Sequence, residues 1–175
     1  LPQFTRALAR EFADDNIRTI FHEAFHQFIH NYVPYPPDWF NEGLADYFGP
    51  SRLNERKELR VGIVDKSSPH ALTRYEKILK VVQKGDTSSY YPLESFLNLS
   101  YDAFHENNLE YQNYAQGWSF IHFLLHSRKL GPKGPRLVKD YFRALQAGQS
   151  AEHAYAETFA KLYLDQHPVI ELVKF

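Results

Sequence analysis

Residues 21–48 read FHEAFHQFIHNYVPYPPDWFNEGLADYF. His22, Glu23 and His26 fall in one short run, and Glu42 and Asp46 follow after a proline-rich break. The apolar residues Phe12, Ile17, Phe21, Phe25, Phe28 and Ile29 recur near the helical period, which predicts a helix over 3–32, or two helices joined near Asp14, Asp15 and Asn16. VPYPPD (33–38) cannot continue it, because proline lacks the amide donor and its ring clashes with the preceding turn. Asp38 is then expected to cap a helix from Trp39 to Phe48, stopped by Gly49 and Pro50.

On a helix His22 and His26 lie about 40° apart around the axis and about 6 Å along it, so both imidazoles can meet one cation. This is the arrangement of the H-E-x-x-H motif. Glu23 lies about 100° round from His22, too far for a comfortable ligand, yet able to take a proton from a water at the site. A catalytic zinc site needs a third protein ligand and one open position. His30 is excluded, because it lies about 12 Å along the axis from His22; it reads as a helix-end residue. Glu42, on the next helix, can fold back and is the expected third ligand. Trp39, Phe40, Leu44, Tyr47 and Phe48 would supply the apolar face for that packing, and Gly43 would let the helices approach closely. Zinc-binding histidines commonly give their second N–H to an oxygen acceptor. Asp46, one turn beyond Glu42, is placed to do this for His22, and Asn41 for His26.

The bulk numbers narrow the alternatives. A chain of 175 residues suits one domain, 1–175, with a sizeable core. Twenty basic against 21 acidic residues, net charge −1, give no field for nucleic acid or an anionic membrane. No apolar run approaches the length of a membrane span. With no cysteine, thiolate metal sites, disulfides and cysteine nucleophiles are excluded, leaving His, Asp and Glu as metal ligands. Leu1 is no natural initiator, methionine is absent, and the start lacks the pattern of a signal peptide. An excised fragment of a longer chain, or a sequence from which some residues are missing, is therefore expected; localisation stays open, with an extracytoplasmic one in a bacterium favoured.

ELRVGIVD (58–65) is the best strand, half of a small hairpin. Helices are predicted over Ala71–Lys84 (ended by Gly85), Leu93–Leu99, Tyr111–Leu130 (closed by GPKGP), Arg136–Ala147 and Ala151–Leu164. The fold class expected is mostly α with a small β element. His122 and His126 form a second i,i+4 pair, but no acidic motif accompanies them, so packing or exposure is the expectation.

HEAFH followed by NEGLAD resembles the gluzincin zinc metallopeptidases, the thermolysin and aminopeptidase-N clan. WFNEGLADYF is especially similar to bacterial peptidase-MA-like domains of uncharacterised function. The resemblance implies a zincin-like helical domain binding Zn²⁺ through His22, His26 and Glu42, with Glu23 as general base and Asp46 orienting a ligand. It implies hydrolysis of a peptide or protein substrate, and a β-sheet ahead of the zinc helix whose edge strand would pair with the peptide; only 21 residues precede His22, so that sheet is missing, truncated or supplied by ELRVGIVD (58–65). YAQGWSFIHFLL (114–125) is similar to the later helix of these relatives. There a Tyr-x-Lys-Gly carries an oxyanion-stabilising tyrosine, which implies that role for Tyr114, with Tyr111 one turn earlier as the alternative. Gln116 stands where those relatives have lysine. Two rival readings are a non-catalytic module that retains the metal, and a purely structural helical domain.

Overall fold

The computed structural model describes residues 2–64, 69–84, 90–106 and 110–160. Helix α1 (Pro2–His30) runs uninterrupted through Asp14–Asn16. It closes with Tyr32 and Val33 donating their amides to the Ile29 carbonyl, at 3.0 and 2.8 Å. The His30 ring donates from Nδ1 to the Pro34 carbonyl at 3.1 Å, fastening the helix end to the proline turn. Helix α2 (Asp38–Phe48) starts one residue earlier than the pattern predicts. Pro37 holds the cap position, and its carbonyl accepts from Phe40 N and Asn41 N at 3.0 and 2.9 Å. Asp38 is thus not the cap. It lies in the first turn, where its charge offsets the positive end of the helix.

Strands β1 (Arg52–Leu53) and β2 (Leu59–Arg60) pair antiparallel, Arg52 opposite Arg60 and Leu53 opposite Leu59. The Asn54 side chain folds the turn between them, its Oδ1 accepting from Arg56 N and Glu58 N at 3.0 and 2.9 Å. The strand is far shorter than 58–65, and residue 65 lies outside the described residues. Leu53, Leu59, Val61 and Val64 are exposed, so no buried face supports a longer ladder. A strand of two residues is too short for the peptide-pairing edge that the resemblance implies.

Among the described residues six helices follow: α3 (Pro69–Lys84), α4 (Leu93–Leu97), α5 (Tyr101–Phe104), α6 (Glu110–His126), α7 (Lys133–Gln146) and α8 (Ala151–Thr158). The short α5 had no separate signal; Ser100 caps it by accepting from Ala103 N at 3.3 Å. Helix α6 stops at His126 rather than at residue 130, and α7 begins three residues before the predicted start. Gly85 and residues 161–164, assigned to helix ends above, lie outside the described residues. The chain is mostly helical with a small two-stranded antiparallel sheet. Among the described residues no helix is long and apolar enough to cross a membrane.

Helix α2 is central, and it packs more extensively on α6 than on α1. Trp39 is fully buried against Phe40, Phe120, Tyr141 and Phe159, with ring centroids 5.2, 5.6, 5.3 and 5.9 Å away. Each such pair contributes about 0.5–1.5 kcal/mol beyond its buried area. Most of the α2 aromatics therefore face α6, α7 and α8, contrary to the expectation that they pack on the first helix. Phe48 does face it, stacked on Phe25 at 5.1 Å. Gly43 likewise serves α6: a Cβ there would lie 2.8 Å from the Gly117 carbonyl oxygen. With one face of α2 anchored on α6 and α7, the opposite face presents Asn41, Glu42 and Asp46 to α1.

Candidate metal centre

His22 Nε2 and His26 Nε2 are 3.0 Å apart, their rings nearly perpendicular. The Glu42 carboxylate straddles them, Oε2 3.4 Å from His22 Nε2 and Oε1 3.6 Å from His26 Nε2. A tetrahedral ion with bonds of about 2.0–2.1 Å separates its ligand atoms by about 3.3 Å, so the spacing of these donors fits. Two imidazole nitrogens and a carboxylate are also a donor set that suits zinc. Among the described residues, His22, His26 and Glu42 are the one group of His and acidic side chains gathered closely enough to hold an ion.

The outward nitrogens are both engaged. His22 Nδ1 meets Asp46 Oδ1 at 3.1 Å, and His26 Nδ1 donates to Asn41 Oδ1 at 2.9 Å. Once the rings are neutral, these contacts favour the Nδ1–H tautomer and direct each Nε2 lone pair at the shared point. Asp46 is 2% exposed, and its other oxygen meets Arg74 Nε at 2.6 Å. Arg74 comes from α3, and its guanidinium also lies 5.6 Å over the Tyr114 ring. Nothing in the local sequence around Arg74 signals this contact, because it is made by the packing of α3 on α6.

The metal-free electrostatics reflect the same convergence. Burial alone would lower the His22 pKa, but hydrogen bonds to Asp46 and Glu42 outweigh it and raise it to about 9. The Glu42 bond raises that of His26 against the pull of burial. Burial would raise Glu42, yet its bonds to the two histidines hold it down at about 2. An imidazolium–carboxylate cluster of this kind occupies the space a divalent cation would neutralise.

Glu23 is exposed on α1 immediately beside His22. Tyr114 is half-buried on α6, its ring 5.5 Å from Phe104 and 6.1 Å from His105. Tyr111 is 69% exposed, with Lys77 Nζ 4.9 Å from its ring centre. Gln116 is buried and clamps the Tyr91 backbone, donating to its carbonyl at 2.8 Å and accepting from its amide at 3.3 Å. It is thus occupied in joining the segment before α4 to α6. Phe21 and Phe28 are exposed, so they do not wall in the histidines. Helix packing and the acidic neighbours enclose the imidazoles instead. His122 and His126 stack at 4.6 Å, and the Tyr47 hydroxyl pairs with His126 Nε2 at 2.8 Å. Asp38, one turn before Glu42, faces His105 Nε2 at 3.6 Å.

Fold and site together define a helical domain with a His/His/Glu cluster whose three ligand atoms lie close enough together to hold one metal ion. Residues 16–130 match the family described as protein of unknown function (DUF1570), and the chain belongs to that family. The matched span includes His22, Glu23, His26, Glu42, Asp46, Arg74 and Tyr114. No curated protein and no solved structure matches the chain.

Proposed function

We propose that this protein is a zinc-dependent peptidase of the gluzincin type. The observation that carries the reading is the meeting of His22 Nε2, His26 Nε2 and the Glu42 carboxylate at one point, with both outer ring nitrogens held by Asp46 and Asn41. When bound, the cation would supply Lewis-acid polarisation of a carbonyl and a water of lowered pKa. His22, His26 and Glu42 would hold it, and Asp46 keeps the His22 ring turned toward it. Glu23, exposed beside His22, takes the proton of the attacking water and delivers it to the departing amine. The hydroxyl of Tyr114 donates to the developing oxyanion, an electrostatic contribution of the kind that usually dominates acyl-transfer catalysis; Tyr111 is the alternative donor.

The test is Glu23→Gln assayed on a broad peptide library after zinc loading. The variant should bind zinc as the parent does and lose hydrolysis by at least about 100-fold. Undiminished hydrolysis would remove Glu23 as the base. A zinc-replete parent that cleaves no peptide would instead assign the chain as a non-catalytic module that keeps the ion.

A further inference from the structure

Helix α3 brings Arg74 to the metal centre without deep packing of its own. It lies against α6, yet none of its described side chains is buried and none joins the hydrophobic core. Two of its cations reach other helices. Arg74 Nε is 2.6 Å from Asp46 Oδ2 on α2, and Arg74 Cζ is 5.6 Å from the centre of the Tyr114 ring on α6. Lys77 Nζ stands 4.9 Å from the ring centre of Tyr111, a residue 69% exposed.

Arg74 thus joins two residues that the local sequence does not connect. Asp46 holds the outer nitrogen of His22 at 3.1 Å, and the Tyr114 ring lies 5.5 and 6.1 Å from those of Phe104 and His105. Counter-charge for Asp46 explains only the first contact, and a lysine would supply it. Serving both takes a planar cation, whose edge meets a carboxylate while its flat body lies over an aromatic ring. A compact ammonium on a flexible stem cannot stand in both places at once. The Arg74 side chain is 20% exposed and that of Asp46 2%, so solvent screens the pair little. The contact also distinguishes the two tyrosines: Tyr114 is tied to Asp46 through Arg74, whereas Tyr111 is covered by Lys77.

We infer that Arg74 is a positioning residue: by bridging Asp46 and the Tyr114 ring, it fixes where Tyr114 stands relative to the metal centre. The use of Tyr114 as oxyanion donor rests on the peptidase reading; the bridge rests on the two contacts of Arg74. Two arms separate these. The first uses the metal-free full chain and no substrate. Tyr114 alone is replaced by 3-fluorotyrosine, and its fluorine resonance is followed. Asp46→Asn should move that resonance in the chain that keeps Arg74, and should leave it in place once Arg74→Lys is present. Arg74→Lys retains a cation beside Asp46, so the fold is kept, checked by an unchanged far-UV spectrum. A resonance that Asp46→Asn does not move, or moves equally with and without Arg74→Lys, overturns the inference. The second arm offers peptides to the zinc-loaded chain. Arg74→Lys should lower kcat at least about tenfold, as a displaced catalytic group does, with KM and zinc affinity within about twofold of the parent. In the Tyr114→Phe background the same change should cost nothing further. Losses that multiply, or a loss confined to KM, overturn the action of Arg74 through Tyr114. A parent that cleaves no peptide counts against the peptidase reading, while the fluorine arm still decides the bridge.

Discussion

Replacing Asp46 with alanine removes the one carboxylate that touches both His22 Nδ1, at 3.1 Å, and Arg74 Nε, at 2.6 Å. Two effects then weaken zinc binding together. The His22 ring loses the acceptor that fixes its tautomer and tilt, which typically costs about 10–100-fold in metal affinity, or about 1.4–2.7 kcal/mol. The Arg74 cation loses its counter-charge near the cluster, which pushes the loss toward the upper end of that range. Asp46→Asn should cost less, about tenfold, because the amide oxygen still accepts from His22 while the charge is gone. Arg74→Met separates the two effects. It leaves the Asp46 carboxylate on His22, so zinc affinity should hold or rise. The fold should weaken toward the lower end of the about 3–5 kcal/mol that stranding a buried charge costs, because His22 still faces Asp46. Zinc affinity would be read by competition with a chromophoric chelator, and stability by urea denaturation of the metal-free protein. An Asp46→Ala protein that folds and binds zinc within twofold of the parent would refute the reasoning. So would an Arg74→Met protein that loses zinc as Asp46→Ala does.

Zinc affinity should climb with pH below about 9, by roughly tenfold per unit for each proton displaced, because His22 with its pKa near 9 must lose a proton to bind. A flat chelator competition between pH 6.5 and 9 would contradict this. The metal-free protein should show the opposite slope. The raised pKa of His22 contributes stability that is whole below about 6.5 and lost as pH rises toward 9. The depressed pKa of Glu42 contributes stability lost as pH falls from about 4.5 toward 2. Urea midpoints of the metal-free chain across that range check both signs. Gly43→Ala should destabilise the fold by about 1–3 kcal/mol, because a Cβ meets the Gly117 backbone at 2.8 Å and the helices must part. An unchanged urea midpoint would show that the contact yields freely.

The helices around the site followed from short-range signals, since the apolar period of residues 17–29 and the prolines at 34–37 act within one or two turns. Which partner α2 would face did not follow. Trp39, Phe40 and Tyr47 mark that helix as buried on most sides, but the choice of α6 over α1 depends on the distant Gly117, Tyr141 and Phe159. Spacing put His22 with His26 on one helix face and Glu42 with Asp46 on one face of the next, because i,i+4 geometry fixes direction within a helix; that the two faces meet is set by the packing of α2 between α1 and α6. Arg74 and His105 carried no such mark. Arg74 reaches Asp46, and His105 reaches Asp38, from elements whose position depends on tertiary packing, and a lone Arg or His reads as a solvated surface residue. The strand at 58–65 was overread for a similar reason: alternation predicts pairing only where one face has something to bury, and here neither does.

The most direct measurement is X-ray absorption at the zinc edge on the zinc-loaded full chain, compared with Glu42→Ala. The account predicts one zinc per chain with two imidazole nitrogens and a carboxylate oxygen at about 2.0–2.1 Å, and loss of that carboxylate contribution in the variant. A chain that retains no zinc after loading, or a spectrum identical with and without the Glu42 carboxylate, would contradict it.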